Sequence, residues 1–295
     1  MLRWALVTLA ILALGACGPA SAPQPTGGAP IAVLGAENFY GDLLAQIGGT
    51  RVTASSILSD PSADPHEYEA SPAAAKLVAD AKLVIVNGIG YDDFMQKLLG
   101  ASTKPDRIVI DVQDILGLKD DVNVHVWYDP STMPKVAEAV AAALTKLDPQ
   151  NAAYFSDQKV KYLAGLKPVT DKIAALKGKY AGAPIAFTEN VAGYLTDAIG
   201  LLVLTPPAFM EAIESGTDPA PADVAAERDL LTARKVKALL YNSQVTSPLT
   251  EQIRELAIAN DVAVVPVAET IPPSFKTFGE WQLAQLDELE RALAK

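Results

Sequence analysis

The chain holds one cysteine, Cys17, in 295 residues. A single thiol excludes an intramolecular disulfide, a thiolate zinc cluster and an iron–sulfur site. Histidine is nearly as scarce, with only His66 and His125. The sequence contains no G-x-x-x-x-G-K-[ST] loop, so it carries no phosphate cradle of that type for ATP. It contains no H-E-x-x-H pair either, which removes the common helix-borne catalytic zinc motif. No self-similar repeat with a period of about 20–50 residues is visible. Basic residues are in deficit, 24 against 35 acidic, for a formal net charge of −11. Such a surface repels phosphate backbones, and nucleic acid is excluded as a partner class. What is present is apolar material. Half of the residues are hydrophobic, which rules out disorder over most of the chain. The length exceeds one ordinary core and fits two domains of about 100–150 residues each.

The longest apolar run, Trp4 to Ala16, follows one basic residue, Arg3. A membrane-spanning helix needs about 20 such residues, so this run is too short to span and suits a signal-peptide core. It ends in Leu14-Gly15-Ala16-Cys17, which resembles a bacterial lipobox. The resemblance implies that Cys17 becomes the lipidated first residue of the mature protein. The chain is then expected on the outer face of the cytoplasmic membrane, in the periplasm or at the cell surface, anchored and not spanning. Residues 1–17 are read as the leader. Residues 18–30, rich in Gly, Pro, Ser and Ala, are read as a flexible tether.

From residue 31 onward, strands and helices alternate. Ile31–Ala36, Arg51–Leu58, Lys82–Asn87 and Arg107–Val112 are short, apolar, β-branched runs. Pro184–Phe187, Val236–Tyr241 and Val262–Val267 repeat the pattern in the second half. Apolar runs without alternation suit strands covered on both faces, hence mainly parallel sheets in an α/β fold. Ser71-Pro72 and Ser247-Pro248 each read as an N-cap followed by Pro at the first helical position. Met133, Val136, Val140, Ala143 and Leu147 recur at helical spacing. Residues 149–180 contain few breakers apart from Gly165 and Pro168 and predict a long linker helix, with Pro168 as a point of kinking. Two lobes follow, 31–148 and 181–295. The acid-rich stretch Glu211–Asp229 is read as a surface loop. Trp281–Lys295 is read as an amphipathic terminal helix on the second lobe.

Both histidines lie in polar or aromatic surroundings and not on a helical apolar stripe. His66 sits in the Pro-punctuated Asp64-Pro65-His66-Glu67-Tyr68, and His125 in Val124-His125-Val126-Trp127-Tyr128-Asp129-Pro130. Glu189 and Glu269 each follow an apolar strand. In open α/β sheets, ligands bind beyond the carboxyl ends of strands, so two such acids can converge. The competing reading is that each caps a following helix. Trp127, Tyr128, Tyr194 and Phe209 are read either as shields for a bound ion or as ordinary core.

These segments, in this order, resemble the zinc/manganese-binding solute receptors of ABC transporters. The similarity spans about residues 31 to 295. It implies two α/β lobes joined by a rigid helix, with one divalent ion at their interface. It carries the ligands onto His66, His125 and Glu189, and the fourth onto Glu269, where relatives usually have Asp. Asp197, Glu211 and Asp218 are weaker alternatives for that fourth place. Val124 stands where relatives often have Pro. The His-rich loop common in zinc-selective relatives is absent from Lys119–Asn123. The resemblance further implies a monomeric receptor, not an enzyme, that delivers its ion to a membrane permease driven by a separate ATPase. A set of two imidazoles and two carboxylates favours manganese(II) more than an all-imidazole set does, while the Irving–Williams order keeps zinc(II) close behind. Two other function classes remain open from the residues alone: a metal-dependent hydrolase, and a receptor or adhesin for a non-metal ligand on the same scaffold.

Overall fold

The computed structural model describes residues 27–61 and 64–295. The expected leader, the lipobox Cys17 and most of the tether lie outside those residues. The first half runs β1 (Ile31–Glu37), α1 (Asn38–Gly48), β2 (Val52–Leu58), α2 (Pro72–Asp80), β3 (Leu83–Val86), α3 (Asp93–Ala101), β4 (Ile108–Asp111), α4 (Val112–Leu116) and α5 (Thr132–Leu147). The long α6 (Ala152–Tyr180) follows. The second half runs β5 (Pro184–Phe187), α7 (Gly193–Ile199), β6 (Leu202–Val203), α8 (Pro207–Glu214), α9 (Pro221–Thr232), β7 (Ala238–Asn242), α10 (Pro248–Ala259), β8 (Ala263–Val267) and α11 (Phe278–Leu293).

Each half builds a four-stranded sheet, ordered β2-β1-β3-β4 and β6-β5-β7-β8. Every pairing is parallel. The two orders share one topology. In each, strand order reverses direction in the middle, which opens a crevice beyond the carboxyl ends of the central strands. Strand interiors explain the pairing: all four residues of β3 and all five of β7 are buried. Such strands need helices on both faces.

Local signals set several boundaries. Ser71 Oγ accepts from the Ala74 amide at 3.1 Å and starts α2. Ser247 and Thr250 form a reciprocal capping box at the start of α10. Helix α6 forms because Phe155, Tyr162, Leu166, Val169, Ile173 and Leu176 make one buried stripe at helical spacing. Pro168 lies inside this helix on its exposed side. The Ala164 carbonyl that loses its amide partner is there also exposed, so water can satisfy it and the helix continues. Helix α11 closes on α6 at Gly279, where a Cβ would stand 3.3 Å from the Gly165 carbonyl oxygen.

One apolar core runs without interruption from Val33 and Leu34 of the first sheet, through α6, to Val265, Phe278 and Trp281 of the second half. A smaller cluster around Phe209, Leu239 and Ile253 fills the far side of the second sheet. The shared core makes the relation between the halves a packed one, as a stiff connecting helix requires.

One expectation changes, and one strand was not foreseen. The Glu211–Asp229 stretch is not a loop: α8 and α9 occupy most of it, and only residues 215–220 join them. Pro207 and Pro221 each occupy a first helical turn, where the missing amide costs nothing. The stretch is not uniformly solvated either, since Glu227 is fully buried. Strand β6 went unrecognised in the sequence because it has two residues and its Leu202 is exposed.

Candidate metal centre

Four side chains converge beyond the strand ends. His66 is carried by a single 3₁₀ turn, Pro65–Glu67, which follows β2. Asp64 caps that turn by accepting the His66 amide at 2.9 Å. His125 precedes a second 3₁₀ turn, Val126–Tyr128. Glu189 lies two residues beyond β5 and Glu269 two residues beyond β8. Neither acid caps a helix: α7 starts behind Ala192 and α11 behind Thr277.

One ligand atom from each of the four residues lies within 4.8 Å of the other three. His66 Nε2 stands 3.4 Å from Glu189 Oε1 and 3.3 Å from Glu269 Oε2. His125 Nε2 stands 3.7 and 3.4 Å from the same two oxygens. A tetrahedron with arms of about 2.1 Å has edges of about 3.4 Å, so the spacing fits a four-coordinate divalent ion. His66 Nε2, His125 Nε2 and Glu189 Oε1 are buried atoms with no hydrogen-bond partner. Buried polar atoms are normally satisfied, and three orphans aimed at one point are what an ion would satisfy. Among the described residues, these four form the only such group of three or more His, Cys, Asp or Glu. Asp197, Glu211 and Asp218 are not in it.

Access is one-sided. His125, Glu189 and Glu269 are fully buried, while the His66 side chain keeps 21% of its surface. The His66 side is thus the open side of the cluster.

Hydrogen bonds orient three of the four donors, His125, Glu189 and Glu269. Asn123 Nδ2 donates to the Asn190 carbonyl at 2.7 Å. That fixes the amide, so its Oδ1 accepts from the His125 backbone amide at 3.0 Å and from Nδ1 at 2.7 Å. Nδ1 then carries the proton and Nε2 presents its lone pair to the centre. A Cβ at Gly193 would sit 2.2 Å from Asn190 Oδ1 and 3.1 Å from Asn123 Nδ2, so only glycine lets this clasp close. Tyr91 donates to Glu269 Oε2 at 2.9 Å. Asn242 Nδ2 donates to Glu189 Oε2 at 2.6 Å and to Glu269 Oε1 at 2.7 Å. Gln244 Oε1 accepts the backbone amides of Glu269 and Thr270 at 2.6 and 3.0 Å, fixing their loop. Several of these bonds join the halves: Asn123 reaches Asn190, Tyr91 reaches Glu269, and Tyr128 donates to the Ala268 carbonyl at 2.7 Å.

The electrostatics follow from burial and proximity. Burial works against a charged His66, yet the Glu189 and Glu269 carboxylates, 3.4 and 3.3 Å from its Nε2, outweigh it and push the imidazole up to about 11. Burial prevails at Glu189, whose carboxyl is raised. At Glu269 burial acts the same way, but the His125 and His66 imidazoles beside it overcome it and hold the carboxyl well below its ordinary range. Behind the site, Glu37 is fully buried, and burial and then the Asp92 charge push its carboxyl up.

Of the aromatics singled out from sequence, Trp127 lies against His125 with ring centroids 5.2 Å apart. Tyr128 and Tyr194 act through their hydroxyls, the latter donating to the Asn123 carbonyl at 2.9 Å. Phe209 belongs to the second apolar cluster. Tyr91, Asn123, Asn242 and Gln244 were missed by sequence reasoning. For Asn242 a signal existed: it is a polar residue at the carboxyl end of an apolar strand, the same position that singled out Glu189 and Glu269.

A family model described as the periplasmic component A of zinc-uptake complexes (ZnuA) matches residues 33–292. A manganese-binding lipoprotein of Halalkalibacterium halodurans is 26% identical over 202 residues, covering 66% of each chain. A manganese ABC transporter substrate-binding lipoprotein of Streptococcus pneumoniae is 26% identical over 259 residues, covering 80% of each. Among solved structures, a periplasmic zinc-binding protein of Treponema pallidum superposes with a TM-score of 0.74 at 20% identity, over 91% of this chain and all of that one. A solute-binding protein of Pseudomonas aeruginosa in complex with Ni2+ superposes with a TM-score of 0.72 at 23% identity, over 90% of this chain and 97% of that one. Both share the two-lobed fold.

Proposed function

The chain belongs to the family of periplasmic zinc-uptake component A, and on that premise we propose that it is the extracytoplasmic solute-binding component of an ABC transporter. It captures one divalent transition metal through His66, His125, Glu189 and Glu269 and delivers it to a membrane permease. The observation that carries this reading is the spacing of the four ligand atoms, with imidazole-to-carboxylate distances of 3.3–3.7 Å. The relatives named for manganese and zinc agree with the donor chemistry. Carboxylates favour manganese(II), and zinc(II) stays close behind because it binds most nitrogen and oxygen sites more tightly. No thiolate is available to select soft ions.

A binding role suits the site better than catalysis. Catalytic zinc keeps an open position for water, whereas four protein donors here complete the tetrahedron. The site also draws two ligands from each lobe, 31–148 and 181–295, so an ion ties them together. The permease and its ATPase are separate chains. The receptor acts as a monomer held to the membrane by lipid on Cys17. No helix among the described residues is long and apolar enough to cross a bilayer.

Metal should stabilise the fold by mass action. At about 1,000 times Kd a ligand adds about 4 kcal/mol, which is about 10 °C in melting temperature for a chain of this size. Differential scanning calorimetry with manganese and with zinc, against chelated protein, checks this. An unchanged melting temperature with both ions would favour the non-metal receptor.

A further inference from the structure

We infer that Asn242 sets how many oxygen atoms the bound ion receives, and thereby how far the site separates manganese from zinc. This rests on the metal-receptor reading above. Asn242 ends β7, whose neighbours in the sheet are β5 and β8, the strands that lead into Glu189 and Glu269. Its position between them lets one side chain reach both acids.

The orientation of its amide is fixed from behind. Asn242 Oδ1 accepts the Gln244 backbone amide at 3.0 Å, so the NH2 group faces the acids. Its two hydrogens go one to each: Glu189 Oε2 at 2.6 Å and Glu269 Oε1 at 2.7 Å. The oxygens turned toward the imidazoles are the other two, Glu189 Oε1 and Glu269 Oε2. Glu269 Oε2 also accepts from Tyr91, which takes up a further lone pair of that oxygen. Each carboxylate therefore offers one oxygen to the ion.

Gripping the ion with both oxygens would require Glu189 or Glu269 to break a charge-assisted bond inside a fully buried cluster, where Asn242, Glu189 and Glu269 expose nothing. No solvent is at hand to replace the lost partner, so the restraint is strong. Four donor atoms suit zinc. Manganese(II) with oxygen ligands favours six-fold coordination, and forgoes more under this restraint. Asn242 thus narrows the lead that two carboxylates would otherwise give manganese. It is a positioning residue and touches the ion only through the acids.

The test compares the full chain with Asn242→Leu, which keeps the approximate shape and removes both donors. Competition between manganese and zinc should show their affinity ratio moving toward manganese by about tenfold, the size of one modest charge-assisted hydrogen bond. Cobalt(II) supplies a readout that a merely structural role would not move. Four-coordinate cobalt lacks a centre of symmetry and absorbs strongly in the visible; six-coordinate cobalt absorbs weakly. The native protein should give the strong spectrum and Asn242→Leu a weaker one. Equal spectra with an unchanged manganese-to-zinc ratio would overturn the inference. So would a weak cobalt spectrum in the native protein, a result that stands even if the variant fails to fold. Native protein that binds none of the three ions would overturn the receptor reading itself, a different outcome from binding them all with six-fold coordination.

Discussion

Replacing His66 or His125 with alanine is expected to weaken manganese and zinc binding by about a hundred- to a thousand-fold each. The magnitude follows from sharing out the free energy of a four-ligand site. Zinc held by four protein donors is bound with about 10–16 kcal/mol, or about 2.5–4 kcal/mol per donor. Neither imidazole has a substitute nearby, because these are the only histidines in the chain and no cysteine lies among the described residues. His125→Ala removes a fully buried donor and leaves Asn123 Oδ1 only the backbone amide of residue 125. His66→Ala removes the donor on the open side of the cluster. The two losses should each reach this size, while the double variant should bind no metal measurable by isothermal titration calorimetry. A double variant that keeps full stoichiometry would remove these residues from the site.

Metal uptake should expel one proton per ion, and affinity should improve about tenfold for each pH unit across the neutral and mildly alkaline range. In the metal-free protein the two acids hold His66 protonated up to about 11, against an ordinary value of 6.5. The ion needs the same Nε2 lone pair, so proton and metal compete over that whole interval. The sign is fixed by the direction of the shift. Because the folded-state value is raised, the stability that His66 lends the metal-free fold is fully present below about 6.5 and is lost as pH rises through about 11. Metal binding runs the other way and weakens on acidification. Calorimetric titrations in buffers of different ionisation enthalpy count the protons directly. A dissociation constant that does not change across the neutral range would contradict the prediction. Release of cargo in acid is the functional corollary.

The parts of this site that were legible in the sequence are those that local rules govern. His66 and His125 stand out because nothing else in the chain can supply an imidazole. Glu189 and Glu269 stand out because each follows an apolar strand, and strand ends in parallel sheets face the crevice. The long α6 was legible from its scarcity of breakers, and α2 and α10 from their Ser-Pro starts. What stayed hidden depends on partners distant in sequence. Asn242 acts on residues 53 and 27 positions away, Asn123 on one 67 away, and Tyr91 on one 178 away. No local pattern marks an amide as the orienter of an acid on another strand. The misread acidic stretch has a different cause. Proline starts helices as readily as it ends strands, and only the packing of α8 and α9 decided between the two.

The most direct measurement is the metal content of the purified protein by mass spectrometry, after chelation and then exposure to manganese and zinc together. The account predicts one equivalent of metal per chain, with both elements retained and manganese the more abundant when free zinc is scarce. Protein that retains neither ion after that exposure would contradict it.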